Sequence, residues 1–206
     1  MHVYKPSTEG WLGKYEHNTF ENYQEKEYNK AFNYVKNKRT AIDVGANVGM
    51  MSNRMCRDFD HVHSFEPLFH EYIEPNLSLR GHKNVTIHPY AVGDKKKTVS
   101  MRVGQHHSGG SNVVEWTSDI TQTYNRNIEC VTIDSFGLSD IDFIKIDVED
   151  YEWFVLQGCE ETIVEYHPII MMEVKKDNSN RNQIMKFMKD FGYEYEPIGE
   201  MDFVFK

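Results

Sequence analysis

The sequence predicts an α/β fold in which a parallel sheet is covered by helices on both faces, and three observations predict it. Short β-rich runs at 40–44, 61–65 and 143–146 alternate with longer amphipathic stretches; strand and helix taking turns imply parallel strands, because the crossover connections lay helices on the sheet faces. A glycine turn, Gly45 to Gly49, stands where the first strand gives way to a helix. Acidic residues, Glu66 and Asp147, close two further strands at what must be the same end of the sheet, the end where ligands bind in folds of this class.

In chain order, residues 1–19 carry little periodicity. Phe20, Tyr23, Tyr28, Ala31, Phe32 and Val35 then recur close to helical spacing, which predicts an amphipathic helix over 21–36. Strand 40–44, helix 50–59, strand 61–65 and helix 69–79 follow. A third strand is expected at 84–90 and an extended piece at 97–103, reached through the turn-prone Gly93-Asp94 and suited to a local hairpin. Between 104 and 127 the chain turns polar, with glycines around His106 and His107, the composition of a mobile loop and the best candidate for a lid. Strands at 129–133 and 143–146, a helix at 149–157 interrupted by Gly158, and a strand at 169–174 resume the alternation. A helix at 182–191 ends at Gly192, and 193–196 pairs with 202–205 as a closing hairpin. The expected organisation is a leader and helix, 1–39, packed on one domain, 40–206.

A chain of 206 residues can bury one good core and leaves little for a second domain. A hydrophobic share of 39% against 27% charged describes a folded protein rather than a disordered one. No apolar run approaches the ~20 residues of a membrane span, and the first residues lack a secretory signal, so the expectation is a cytoplasmic protein with no membrane partner. Cys56, Cys130 and Cys159 are far apart and show no CxxC spacing, which reads as buried, neutral thiols. A net charge of -9 disfavours a nucleic-acid partner, and the basic clusters at 36–39 and 95–97 are short enough to be solvated. Nothing in the patterning sets an oligomeric state.

The segment Asp43-Val44-Gly45-Ala46-Asn47-Val48-Gly49 carries the most information. Gly45 lets the backbone approach a ligand closely, and Gly49 lets a helix start near the strand. A dinucleotide fingerprint requires glycines where Gly45, Asn47 and Met50 stand, so two of three are wrong, and a nicotinamide-dependent oxidoreductase is disfavoured. The Lys-Ser or Lys-Thr pair of a P-loop is missing too. Asp43 suits a ligand with a positive amino group. Glu66, in Ser64-Phe65-Glu66-Pro67, can accept hydrogen bonds from both hydroxyls of a ribose; an acid at a strand end can equally cap the helix that follows. Beside the glycine turn, the ribose reading is preferred.

Four segments in this order, Asp43 to Gly49, Phe65-Glu66-Pro67, Ala91-Val92-Gly93-Asp94 and Ile144-Lys145-Ile146-Asp147-Val148-Glu149, resemble the FkbM-type methyltransferases over about 40–174. The resemblance implies a Rossmann-like class I methyltransferase fold, a seven-stranded, mostly parallel sheet with an antiparallel last strand and helices on both faces. It implies S-adenosylmethionine as the cofactor, with Asp43, Gly45 and Asn47 around the methionine part, Glu66 and the adjoining Pro67 at the ribose, and Tyr90, Ala91 and Val92 near the adenine. The family motif reads Asp-Val-Glu-Gly where this chain has Asp147-Val148-Glu149-Asp150, so a charged side chain replaces a glycine.

Methyl transfer is an in-line displacement with the nucleophile ~3–3.5 Å from the methyl carbon, and an alcohol acceptor must also lose its proton to a base or through a metal. Asp147 is the first candidate, since it closes its strand and can face the sulfonium or the accepting hydroxyl. Glu149 and His106 come next, then His107 and Glu173. Glu149, Asp150 and Glu152 also fit the first turn of a helix, where negative charge is favourable by ~0.3–1 kcal/mol, the preferred reading for Asp150 and Glu152. A divalent metal held by Asp147 and Glu173 is a speculative option. His61 and His63 share a strand face, with a structural role preferred over a metal pair. Trp116 is a weak candidate for touching substrate. The function expected is S-adenosylmethionine-dependent O-methylation of a hydroxyl on a sugar or other small metabolite. The alternatives are a non-catalytic S-adenosylmethionine-binding module and a nucleic-acid methyltransferase.

Overall fold

The computed structural model describes residues 19–102, 112–114 and 125–206. The chain forms α1 (Thr19–Asn22), α2 (Glu25–Phe32), β1 (Thr40–Val44), α3 (Met50–Asp58), β2 (His61–Phe65), α4 (His70–Ser78), β3 (Val85–His88) and β4 (Ala91–Val92). It continues with β5 (Lys97–Arg102), β6 (Asn112–Val114), β7 (Asn125–Val131), β8 (Ile141–Ile146), α5 (Glu152–Gln157), α6 (Glu160–Tyr166), β9 (Ile169–Glu173), α7 (Arg181–Asp190), β10 (Tyr195–Pro197) and β11 (Asp202–Phe205).

Seven strands make one sheet in the order β10-β11-β9-β8-β1-β2-β3. Only β11, the last strand of the chain, runs against its neighbours β9 and β10. Helices cover both faces, as the resemblance implies. The central strands are buried on both sides, so they read as apolar runs instead of alternating ones. One face packs Ile42, Val44, Ile144 and Ile146 against Val155, Ile163 and Met188. The other packs Ala41, Phe143 and Met171 against Tyr28, Met51 and Met55, as the two-residue period of a strand requires. No helix among the described residues is long and apolar enough to cross a membrane, and all three cysteines are free and buried.

Several elements differ from the sequence reading, each for a physical reason. The helix expected over 21–36 is two helices, broken at Gln24, whose φ of 46° is left-handed. Phe20 packs with Val48 and Met50, whereas Tyr28 and Ala31 pack with the sheet core, and one straight helix cannot point at both. The piece at 97–103 is not a hairpin with its upstream neighbour: β5 pairs antiparallel with the later β6 and β7. With β4 they form a second sheet, β4-β7-β5-β6, around Leu68, Ala91, Val99, Met101 and Cys130. The helix expected over 149–157 starts only at Glu152, because Glu149 (φ 53°) and Asp150 (φ 75°) are left-handed. Of the three acids expected in that first turn, only Glu152 lies there. The tail hairpin pairs Tyr195 with Phe205 and joins the main sheet through β11. Most of the lid expected over 104–127, including His106, His107 and Trp116, lies outside the described residues.

Candidate functional site

β1, β2 and β8 end side by side, and the turns after them open on a cavity of about 140 Å³. Gly45, Asn47, Glu66, Pro67, Ala91, Val92, Asp147, Glu149 and Glu173 all line it. Tyr23 closes one side from the junction of α1 and α2, and Met101 and Val113 reach it from the small sheet.

The turn after β1 is shaped by its neighbours. The amides of Gly45 and Ala46 both donate to the Phe65 carbonyl, at 3.0 and 3.1 Å. Gly45 has φ +83°, and a Cβ there would lie 1.9 Å from the backbone oxygen of Asp147. The glycine is thus required by the end of β8, in addition to its place on the cavity wall. Gly49, at φ +91°, lets α3 begin against α4, since its Cβ would meet Ile73 Cγ2 at 3.1 Å. Asn47 is left-handed as well (φ 51°) and turns its amide to Glu66 Oε2 at 2.9 Å.

Glu66 is 6% exposed. Its Oε1 accepts the amides of Leu68 (2.7 Å) and Phe69 (3.1 Å), so its carboxylate ties the turn after β1 to the turn after β2. Burial raises its pKa, opposed by those three backbone donors. A carboxylate offers about four acceptor positions; among the described residues three are used, which leaves Oε2 able to take one more hydroxyl. The capping role and a ribose contact are therefore compatible.

Asp43 is placed differently from expectation. It is fully buried and does not line the cavity, because it points to the α3 face of β1 while Val44 points to the other. Its Oδ2 accepts from Ser52 Oγ at 2.6 Å, and Ser52 Oγ lies 2.8 Å from Ser64 Oγ. Oδ1 has no partner among the described residues. Burial raises the Asp43 pKa, with Lys145 and Ser52 opposing. Asp43 supports the floor of the site from beneath.

Beside it in register stands Lys145, 3% exposed, whose ammonium donates to Asp147 Oδ2 at 2.8 Å. Burial works against this charge, but Asp147 and Asp43 more than offset it and keep the lysine protonated. The same face carries Glu173 at the end of β9 and its register partner Asp202 on β11. Burial, then Asp147, Asp202 and Glu149, push Glu173 up to about 7. Burial and Asp147 push Asp202 up to about 6. Burial, with Asp147 close by, also raises the Tyr23 phenol.

Glu149 is held by the Lys175 ammonium at 2.5 Å, with Asp150 3.5 Å from the same group. The left-handed φ of Asp150 explains the glycine of the family motif at that position; aspartate is among the few other residues that tolerate it. His106 and His107, the two histidines among the sequence candidates for a base, lie outside the described residues. No group of three or more His, Cys, Asp or Glu side chains is arranged to hold a metal among the described residues, and one oxygen of Asp147 is taken by the Lys145 ammonium. His63 Nδ1 lies 3.0 Å from His88 Nε2, and His61 Nε2 lies 2.9 Å from Thr86 Oγ1; burial and the neighbouring histidines push His63 down to about 4.

The residues present fit an adenosyl group with an amino-acid tail. Phe65, Tyr90, Ala91 and Val92 give an apolar wall for a purine, Glu66 has an acceptor to spare, and Asp147 and Glu173 face the far end. Sequence reasoning missed Lys145, Tyr23 and Met101. Lys145 could have been found, since a lysine inside the apolar run Phe143 to Ile146 must be buried with an acid. Tyr23 and Met101 belong to segments with no local signal of a site.

A family model, the methyltransferase FkbM domain, matches residues 43–195. No curated protein matches the sequence. Among solved structures, the methyltransferase FkbM from Methylobacillus flagellatus KT is similar at TM-score 0.60 and 16% identity, over 82% of this chain and 44% of that one. This chain therefore spans less than half the length of that structure. A precorrin 8W decarboxylase from Methanobacterium thermoautotrophicum matches at TM-score 0.52 and 11% identity, over 89% of this chain and 88% of that one. A Streptococcus mutans protein in complex with SAH matches at 0.53 and 10%, over 87% and 95%. At these identities the likeness establishes the fold.

Proposed function

The chain belongs to the FkbM methyltransferase family, and from that premise we propose that it transfers the methyl group of S-adenosylmethionine to a hydroxyl of a sugar or other small metabolite, in the cytoplasm. The observation that carries this reading is the cavity at the joint carboxyl ends of β1, β2 and β8, with Glu66 at one end and the Lys145–Asp147 pair at the other. When bound, S-adenosylmethionine supplies a methyl group on a positively charged sulfur.

The chain's own residues orient it. Glu66 takes a ribose hydroxyl on its remaining lone pair while its other positions hold the two turns together. Pro67, Ala91 and Val92 exclude water from the base. Asp147, fixed by Lys145, faces the cationic end and contributes electrostatic attraction there. Positioning of this kind supplies most of what an in-line transfer needs. Among the described residues four carboxylates line the cavity against Lys145, with Lys175 outside the lining paired to Glu149; the remaining negative balance favours a neutral or cationic acceptor over a phosphate-bearing one, which supports a small metabolite over a nucleic acid.

Calorimetric titration with S-adenosylmethionine, S-adenosylhomocysteine and NADH tests the proposal. Saturable binding of the first two alone is expected, followed by methyl transfer to a member of a hydroxyl-acceptor panel. NADH binding, or no binding by any of the three, would refute it. Binding without turnover on any acceptor would favour a binding module.

A further inference from the structure

Four carboxylates line the cavity, and three of them are engaged. Glu66 caps two turns, Asp147 holds Lys145 and Glu149 holds Lys175. Among the described residues, no hydrogen bond or ion pair reaches the fourth, Glu173, which ends β9 and borders the cavity beside Asp147. We propose that Glu173 is the base that takes the proton of the acceptor hydroxyl, an inference that rests on the methyltransferase activity proposed above.

The groups facing Glu173 come from every element packed around it. Lys145 and Asp147 lie on and just after β8, Glu149 in the following turn, Lys175 just beyond β9, Asp202 opposite on β11, and Tyr23 between α1 and α2. Burial and the like charges of Asp147, Asp202 and Glu149 outweigh Lys145 and hold the carboxyl at about 7. A general base works best near the ambient pH, and a carboxylate already spent on an ion pair is a poorer acceptor. Asp202 falls outside the matched residues 43–195 whereas Asp147 and Glu149 fall inside them, so one flank of this chain adds to a tuning that begins within the match. In the step itself the acceptor oxygen bonds to the methyl carbon and the carbon–sulfur electron pair leaves with sulfur. The hydroxyl proton passes to Glu173, which releases it to water after product departs.

The test needs no known acceptor. S-adenosylmethionine carries a positive sulfur and S-adenosylhomocysteine a neutral one, so the ratio of their affinities reports the charge facing that atom. Both are measured by calorimetry at pH 5.5, 6.5 and 7.5 on the wild type, Glu173→Gln and Asp202→Asn, with melting curves for each. Below its pKa Glu173 is neutral, and above it is anionic. S-adenosylmethionine should therefore gain on S-adenosylhomocysteine by ~5–10-fold as pH rises across this range in the wild type. The gain should shrink severalfold in Glu173→Gln, leaving only the smaller contribution of Asp202, and move to lower pH in Asp202→Asn, where a like charge is removed. A wild-type ratio independent of pH, or a rise undiminished in Glu173→Gln, overturns the assignment of Glu173 while leaving the methyltransferase reading intact. Failure of both ligands to bind removes both.

Discussion

Replacing Glu66 by alanine deletes the acceptor of three backbone donors at once, those of Asn47, Leu68 and Phe69. An unsatisfied buried amide costs ~1–3 kcal/mol. Asn47 borders the cavity, where water can reach its amide, so the total should fall near ~3 kcal/mol rather than at the upper bound of the range. Ligand binding loses a separate quantity. A hydrogen bond from a ribose hydroxyl to a charged acceptor is worth ~1.5–3 kcal/mol, or roughly 10- to 100-fold in Kd. Glu66→Gln separates the two losses, because its one amide oxygen can still serve Leu68 and Phe69. Its stability should drop by only ~1 kcal/mol, while S-adenosylhomocysteine still binds much more weakly. Urea unfolding and calorimetry on both variants read these outcomes. An alanine variant within 1 kcal/mol of wild type would refute the triple cap, and wild-type affinity in Glu66→Gln would refute the ribose contact.

Gly45→Ala should destabilise the protein by more than ~2 kcal/mol, combining left-handed strain of ~1–2 kcal/mol with a Cβ 1.9 Å from the Asp147 carbonyl oxygen. Urea unfolding without ligand checks it, and a loss confined to cofactor binding would show instead that the glycine serves the ligand. Asp150→Gly restores the family residue at a left-handed position. The relieved strain and the added chain entropy nearly cancel, so stability should change by less than ~1 kcal/mol. A loss of twice that, measured the same way, would mean that the Asp150–Lys175 contact matters more than the backbone.

The alternation of strand and helix was readable because central parallel strands are apolar on both faces and their connecting helices amphipathic. The strand-end acids were readable as a group for the same reason: a charge that closes an apolar run must face a crevice or a partner. Which of these it faces was not readable. Asp43 and Val44 are consecutive, yet one lies under the sheet on Ser52 and the other borders the cavity, and strand phase relative to the helices is a tertiary property. Gly45 was identified as necessary for a ligand's approach, but its second neighbour was not readable, since a close approach by Asp147, a hundred residues away, leaves no local trace. Local signals also missed the break at Gln24 and the small sheet, whose strands β5 and β7 are joined across a long polar stretch.

That division bears on the proposed activity. The parts proposed to hold the cofactor, Glu66 and the turns after β1 and β2, lie inside the matched residues and are fixed by backbone hydrogen bonds. On the proposed reading, the parts that bear on an acceptor come from both inside and outside the match, and Glu173 is among those inside it. Tyr23 comes from ahead of the match, Asp202 from beyond it, and Met101 and Val113 from the small sheet. Tyr23 and Asp202 act electrostatically on the same few ångströms around Lys145, Asp147 and Glu173. Changing either flank should thus alter acceptor choice and pH response without dismantling the cofactor site, whereas changing the central turns cannot spare it.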